Sequence, residues 1–256
     1  MHVQCGMHDK LVALVTGANK GIGLQIAKDL AARGFTVLLG ARKLDQGEAA
    51  AKSIGVDARA VQLDVTDAAS IAAAAERIRG ELGRLDVLVN NAAVAHVGSA
   101  DASFEQIMQS ARPSTAPIDD VRAVFETNVF GVIAVTQALL PLLREAPAGR
   151  IVNVSSELGS LTSQSDPANP YRSMASVTYS ASKSALNAVT VAFANELADT
   201  KIKVNAACPG YTATDLNKFT GHRTVEQAAR EPVRLATLDE SGPTGSFSNE
   251  DGPLRW

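Results

Sequence analysis

The stretch that most constrains this chain is Leu11–Leu30, LVALVTGANKGIGLQIAKDL. Leu11 to Val15 is a short apolar, partly β-branched run of the kind that forms a buried strand. Thr16-Gly17 follows, then a short spacer, then Gly21-Ile22-Gly23. Beyond it, Ile22, Ile26, Ala27 and Leu30 recur at helical spacing. The order is therefore strand, glycine turn, helix. Glycine lets the backbone turn tightly and approach a ligand. The free N–H groups and positive dipole end of the helix suit a pyrophosphate. A glycine turn alone is also a common βα connection; flanked by both strand and helix, it points to dinucleotide binding.

The rest of the chain repeats that alternation. Further strands are expected at Phe35–Leu39, at Ala58–Leu63 before Asp64, and at Leu85–Val89 before Asn90-Asn91. Two more are expected at Arg150–Val154, ending in Ser155-Ser156, and at Lys201–Ala207. Helices are expected at Leu44–Ile54, from a Thr66-Asp67 cap to about Leu82 with Gly83 as its stop, and from Asp119-Asp120 through Leu143. Two others run over Thr178–Asp199 and from about Val225 to Leu238, the last kinked at Pro232. The predicted fold is α/β: one domain over residues 1–256, a doubly wound Rossmann fold with a parallel sheet of six to seven strands and helices on both faces. Residues 1–9 read as an N-terminal extension, 94–118 as an insertion of loop and short helix, 159–177 as an inserted loop, and 211–238 as a substrate lid region. The first insertion has a short amphipathic piece around Phe104, Ile107 and Met108; the tail from Gly242 offers one short edge strand at most.

Apolar residues make up 46% of the 256 and charged residues 20%, enough for a sizeable core. The net charge of −3, without a basic stripe, argues against nucleic acid. No apolar run of membrane-spanning length is visible, nor a secretory signal, so no membrane partner is expected. Cys5 and Cys208 form neither a disulfide framework nor a metal pattern. Cys208, in an apolar run, reads as a packed residue. No metal is expected, and a cytoplasmic location is the default.

The sharpest chemical signal is Tyr179-Ser-Ala-Ser-Lys183. Four residues apart on a helix, the two side chains share a face. An ammonium near a phenol favours the phenolate and lowers its pKa. A phenol tuned in this way can give a proton to a ketone oxygen or take one from an alcohol. Surface Tyr/Lys pairs have the same spacing. Ser156 ends a strand, where α/β proteins put ligand contacts; Ser155, its neighbour, points to the opposite face. A second signal lies after the second strand. A site preferring NAD carries an acid there, about 20 residues past the glycine turn. This chain has Leu39-Gly40-Ala41-Arg42-Lys43. Arg42 matches a 2′-phosphate with its planar fork, and Lys20 in the glycine turn offers a second charge. The expected cofactor is NADP(H).

Together these residues follow a recognisable pattern. From about Lys10 to Leu238 the chain resembles the short-chain dehydrogenase/reductase family. The matching motifs are Thr16-Gly-x-x-x-Gly21-Ile-Gly23, Leu63-Asp64-Val65, Asn90-Asn91-Ala92, Asn128, Ser155-Ser156, Tyr179-x-x-x-Lys183 and Pro209-Gly210. The glycine turn and the insertion before Tyr179 look most like the carbonyl-reductase branch. Ala93 stands where the family usually has glycine. The resemblance implies roles residue by residue. Tyr179 would be the general acid/base, Lys183 would tune it and hold the nicotinamide ribose, and Ser156 would contact the substrate oxygen. Asn128 would hold a water relaying protons to Lys183. Gly17, Asn19, Lys20, Gly21, Ile22 and Gly23 would cradle the cofactor. Arg42 would meet its phosphate, and Asp64 and Val65 its adenine. Asn90 and Ala92 would line the channel. Thr212 and Thr214, past Pro209-Gly210, would meet the carboxamide or phosphates.

The implied activity is NADPH-dependent reduction of a ketone or aldehyde, reversible, on a small-molecule carbonyl or alcohol. Alcohol oxidation in the cell and a silent nucleotide-sensing protein are the alternatives. The long helices around Val129–Ala134, Ala138–Leu143 and Ala188–Ala194 are apolar nearly all round and need cover on two sides. In the carbonyl-reductase branch the insertion before the tyrosine covers this face. Leu161, Tyr171, Met174 and Val177 would do so here, which gives a monomer as the expected state; a dimer or tetramer is the alternative.

Overall fold

Strand β1 (Val12–Thr16) shows how this sequence makes a sheet with two buried faces. Val12 and Leu14 enter one apolar cluster, Ala13 and Val15 another. That is the two-residue period of a strand covered on both sides. The computed structural model describes residues 10–98 and 103–256. The N-terminal extension lies outside the described residues, as does part of the first insertion.

Around β1 lie β2 (Thr36–Ala41), β3 (Ala58–Gln62), β4 (Val87–Asn90), β5 (Arg150–Val154), β6 (Lys203–Ala207), β7 (Phe247–Asn249) and β8 (Gly252–Pro253). Their order in the sheet is β3-β2-β1-β4-β5-β6-β7-β8, parallel except for β8, which is antiparallel to β7. Helices α1 (Gly21–Ala32), α2 (Leu44–Ile54) and α9 (Val225–Ala236) close one face with Ile26, Leu30, Ala50 and Val233. On the other face, α3 (Ala68–Leu82), α6 (Gly131–Arg144) and α8 (Tyr179–Glu196) bring Ile71, Ile78, Leu139 and Phe193. The Asp67 side chain caps α3 through Ala69 N, and Gly83 ends it in a left-handed conformation, as the sequence predicts. The strand order turns back between β1 and β4. In such sheets, ligands bind in the crevice at the carboxyl ends of those strands.

Three features differ from the sequence expectation. The sheet has eight strands, because the tail adds two. Asn205 Oδ1 accepts from the backbone and hydroxyl of Ser246, which aligns β7 beside β6. Phe247 then stacks on Trp256 at 5.3 Å. Asn249 Oδ1 accepts from Asp251 N and Gly252 N, turning the chain back into β8. Second, the long helix expected from Asp119-Asp120 through Leu143 runs over 27 residues, Ile118–Arg144, but a π-helical turn at Glu126–Phe130 divides it into α5 (Ile118–Phe125) and α6. By length and composition alone it is apolar enough to cross a membrane, contrary to the reading from sequence. Its Val124, Val135, Leu139 and Leu143 are instead buried in the protein. Third, the second insertion holds a defined helix, α7 (Leu161–Ser165), where the sequence predicts a loop; the first holds its expected short helix, α4 (Phe104–Ser110), begun by a Ser103/Gln106 capping box.

Candidate active site

A cavity of about 660 Å³ opens at the switch point. At one end lies the glycine turn. Thr16 Oγ1 accepts from Asn91 N and Ala92 N at 3.0 Å each, and Asn91 Nδ2 donates to the carbonyls of Thr16 and Gly17. These bonds tie the tips of β1 and β4 together. No side chain caps the start of α1, so its first N–H groups remain for an anion. A Cβ on Gly23 would lie 2.4 Å from Asn91 Nδ2 and 2.6 Å from the Gly17 carbonyl oxygen, so only glycine fits there. At Gly21 the nearest atom to such a Cβ would be Thr214 Cγ2 at 3.8 Å, across the cleft. A close-packed turn facing an open cleft fits a dinucleotide pyrophosphate.

Gly17, Asn19, Ile22, Arg42, Asp64, Val65, Ala92, Pro209, Gly210, Thr212 and Thr214 all line this cavity, with Tyr179 and Lys183. Arg42 is exposed just past β2 and has no ion-pair partner among the described residues. Burial raises the Asp64 carboxyl, but hydrogen bonds from Thr66 and the Arg42 charge outweigh it, holding the group below its ordinary value. The Thr212 hydroxyl is turned onto the Pro209 and Gly210 carbonyls.

One expected role changes, and two of the expected residues, Lys20 and Asn128, are engaged within the protein. Asn90 does not reach the cavity: its side chain is buried within the sheet and donates to Thr136 and Asn153. Alternation along β4 gives the lining position to Asn91 instead. Lys20 is not free beside Arg42. It lines the cavity and pairs with Asp215 at 2.9 Å, linking the glycine turn to the segment after Gly210 across the cleft. Asn128, fully buried in the π-turn, has its amide occupied. Nδ2 donates to the Val94 carbonyl and to Ser182 Oγ, while Oδ1 accepts from Val94 N. Both amide protons being used, the side chain anchors the first insertion, and a relayed water would be held by donating to an oxygen of Asn128.

The reactive groups meet where β5 ends against the start of α8. Ser176 Oγ accepts from Tyr179 N and Ser180 N and so starts the helix. Lys183 Nζ lies 5.6 Å from the Tyr179 ring centre and donates to the Val154 carbonyl at 2.7 Å. Ser156 and Tyr179 both line the cavity here, the Ser156 hydroxyl accepting from Leu158 N, whereas Ser155 donates to Asn187 on α8. Gly159 brings the Ser156 loop against α8: a Cβ there would lie 2.6 Å from the Lys183 carbonyl carbon. Its carbonyl accepts from Ser184 Oγ and Asn187 Nδ2. Burial pushes the Tyr179 phenol up, with the nearby Cys208 thiol adding to it and the Ser156 hydrogen bond opposing it. Burial also brings Lys183 down to about 8. The sequence reading expected the ammonium to lower the phenol. Desolvation instead raises it, and the phenol keeps its proton through neutral pH.

The opposite end is built by both insertions, joined where Val177 N donates to the Ala111 carbonyl at 3.2 Å. Ile107, Met108, Tyr171 and Met174 form its apolar wall. This changes the expected use of the second insertion. Tyr171 and Met174 line the cavity and Leu161 is 68% exposed, so these three do not cover the outer face of the long helices. Sequence reasoning missed Gln164, Thr178, His96 and Arg223, which line the cavity too. Thr178, adjoining Tyr179, was the one with a positional signal.

The family model for short chain dehydrogenase matches residues 11–224. Short-chain dehydrogenase/reductase 1 of Saponaria officinalis is 35% identical, with 93% of each chain covered. Carbonyl reductase [NADPH] 1 of Sus scrofa is 34% identical, covering 96% of this chain and 94% of its own. The NADPH-bound carbonyl reductase structure from chicken fatty liver superposes with a TM-score of 0.79 at 27% identity, over 96% of this chain and all of that one. With the Tyr179, Lys183 and Ser156 side chains gathered beside a glycine cradle, these matches establish that the chain belongs to the short-chain dehydrogenase/reductase family of oxidoreductases.

Proposed function

We propose that this protein is an NADPH-dependent carbonyl reductase acting on ketones or aldehydes, with Tyr179 as the proton donor. The observation that carries this reading is the Tyr179 phenol, gathered with Ser156 and Lys183 on the cavity wall and raised by burial so that it holds its proton. A protonated phenol is the form needed to reduce a carbonyl; oxidation of an alcohol needs the phenolate. Ser156 hydrogen-bonds the carbonyl oxygen and orients it toward the phenol. Lys183, charged below about pH 8, stabilises the phenolate left after proton transfer and holds the nicotinamide ribose. The glycine turn binds the pyrophosphate, Asp64 and Val65 bind the adenine, and Arg42 binds the 2′-phosphate with its planar fork. When bound, the nicotinamide supplies the hydride. Residues 211–238 act as the lid, fastened by the Lys20–Asp215 pair. The named carbonyl reductases among the relatives support the choice of NADPH and of a carbonyl substrate.

The test is a panel of ketones, aldehydes and alcohols assayed with each nicotinamide cofactor by the absorbance of its reduced ring. Reduction of ketones or aldehydes with NADPH preferred over NADH is the expected result. Turnover of alcohols alone, or of nothing with either cofactor, overturns the proposal.

A further inference from the structure

Every buried side-chain polar atom without a hydrogen-bond partner among the described residues belongs to a residue lining this one cavity. They are His96 Nδ1, Gln164 Nε2 and Oε1, Thr178 Oγ1 and Arg223 Nε. Folded proteins pair nearly all their buried polar groups, so each exception needs a reason. Exceptions gathered along a single cavity share one: a ligand brings the partners. Arg223 packs against Gly210 on the cofactor side, and Thr178 adjoins Tyr179, but Gln164 belongs to the second insertion, away from the glycine cradle.

Gln164 is the most informative of the four, because both polar atoms of its amide are unpaired. The backbone beneath it is held firmly. Ser160, fully buried, caps α7 through Ser163 N. Thr162 N donates to the Trp256 carbonyl, and Asn169 Nδ2 to the Ser163 carbonyl. Only the turn Glu157–Gly159 and Ser160 separate α7 from Ser156, the residue that contacts the carbonyl oxygen. Thr178, 3% exposed, directly precedes Tyr179. Leu158, Ile107, Met108 and Met174 make the surrounding wall apolar. A fixed amide with a free donor and a free acceptor, set in an apolar wall, recognises a group of the same two-sided chemistry.

We propose that Gln164 determines substrate specificity by hydrogen-bonding a second polar group of the carbonyl substrate, a hydroxyl or an amide that both donates and accepts. The inference rests on the reading of the cavity as a carbonyl-reductase site. Its test uses matched ketones that differ only in one remote substituent, methyl against hydroxyl or carboxamide, over several linker lengths. The quantity read is the ratio of kcat/KM, polar over methyl, in which any general loss of activity cancels. For at least one length the native enzyme prefers the polar ketone by about tenfold or more, as for a hydrogen bond made in an apolar pocket. Gln164→Met removes most of that preference. Gln164→Glu, which only accepts, keeps recognition of a hydroxyl and loses that of an acceptor-only methoxy group. Reduction of the methyl ketones with a ratio that Gln164→Met leaves unchanged overturns the specificity role while the carbonyl-reductase reading stands. If no ketone of either kind is reduced, that reading falls and takes the specificity role with it.

Discussion

The two ends of the cavity are built on different principles. At the glycine end the protein fixes its own frame: Thr16 and Asn91 lace β1 to β4 at the tips of a sheet buried on both faces, and Lys20 is paired with Asp215 at the surface. At the other end the walls are short helices and turns, and both polar atoms of the Gln164 amide stay unpaired. A cradle for an unchanging ligand can be fixed by the sheet. A pocket for a particular substrate is set by loops, which change without disturbing the core. Tyr179, Ser156 and Lys183 stand at the seam.

Removing the seam's acid should have the largest effect. Tyr179→Phe is expected to cut turnover by at least about a hundredfold, while the NADPH dissociation constant, from fluorescence titration, changes little. An equal loss in both would mean that Tyr179 serves the cradle rather than the chemistry. Gly159→Ala should come next. The added methyl has no room against the Lys183 backbone, so the Ser156 loop and α8 must separate. Turnover is expected to fall at least about tenfold, as for small misplacements of reacting groups. Stability should fall by about 1–3 kcal/mol, read as a lower thermal midpoint. Unchanged kinetics would show that the loop aligns by other means.

Arg42→Ala tests the cradle alone. NADPH should bind about tenfold more weakly, the size of a lost charge-assisted contact, with NADH nearly unaffected. Equal weakening of both would remove the phosphate contact. The smallest effect is a pH limb. Burial lowers Lys183 from its ordinary value to about 8, so the amine is charged below that pH and neutral above it. Carbonyl reduction should therefore decline severalfold as pH rises through about 8, and the decline should vanish in Lys183→Ala. A limb that persists in the variant belongs to another group.

Legibility followed the same division. The cradle was readable because its strand, turn and helix each carry their own periodicity; α2 and β5 fall on the expected bounds. The assignment of Asn90 failed because a motif names adjacent residues together while the strand sends them to opposite faces. The π-turn at Glu126–Phe130 leaves no mark in a pattern of apolar spacing, and β8, at two residues, is too short for one. In the second insertion, Tyr171 and Met174 are apolar enough either to cover a helix face or to line a pocket. Only the link from Val177 to Ala111 decides between them.

The account's central claim is hydride transfer to a carbonyl carbon in this cavity. It is tested most directly with NADPH deuterated at C4 on one face or the other, a ketone reduced in the panel, and mass spectrometry of the product. One of the two labelled cofactors should deliver a single deuterium to the carbinol carbon of the alcohol. An alcohol without deuterium from either label, or no alcohol at all while NADPH is consumed, would contradict the claim.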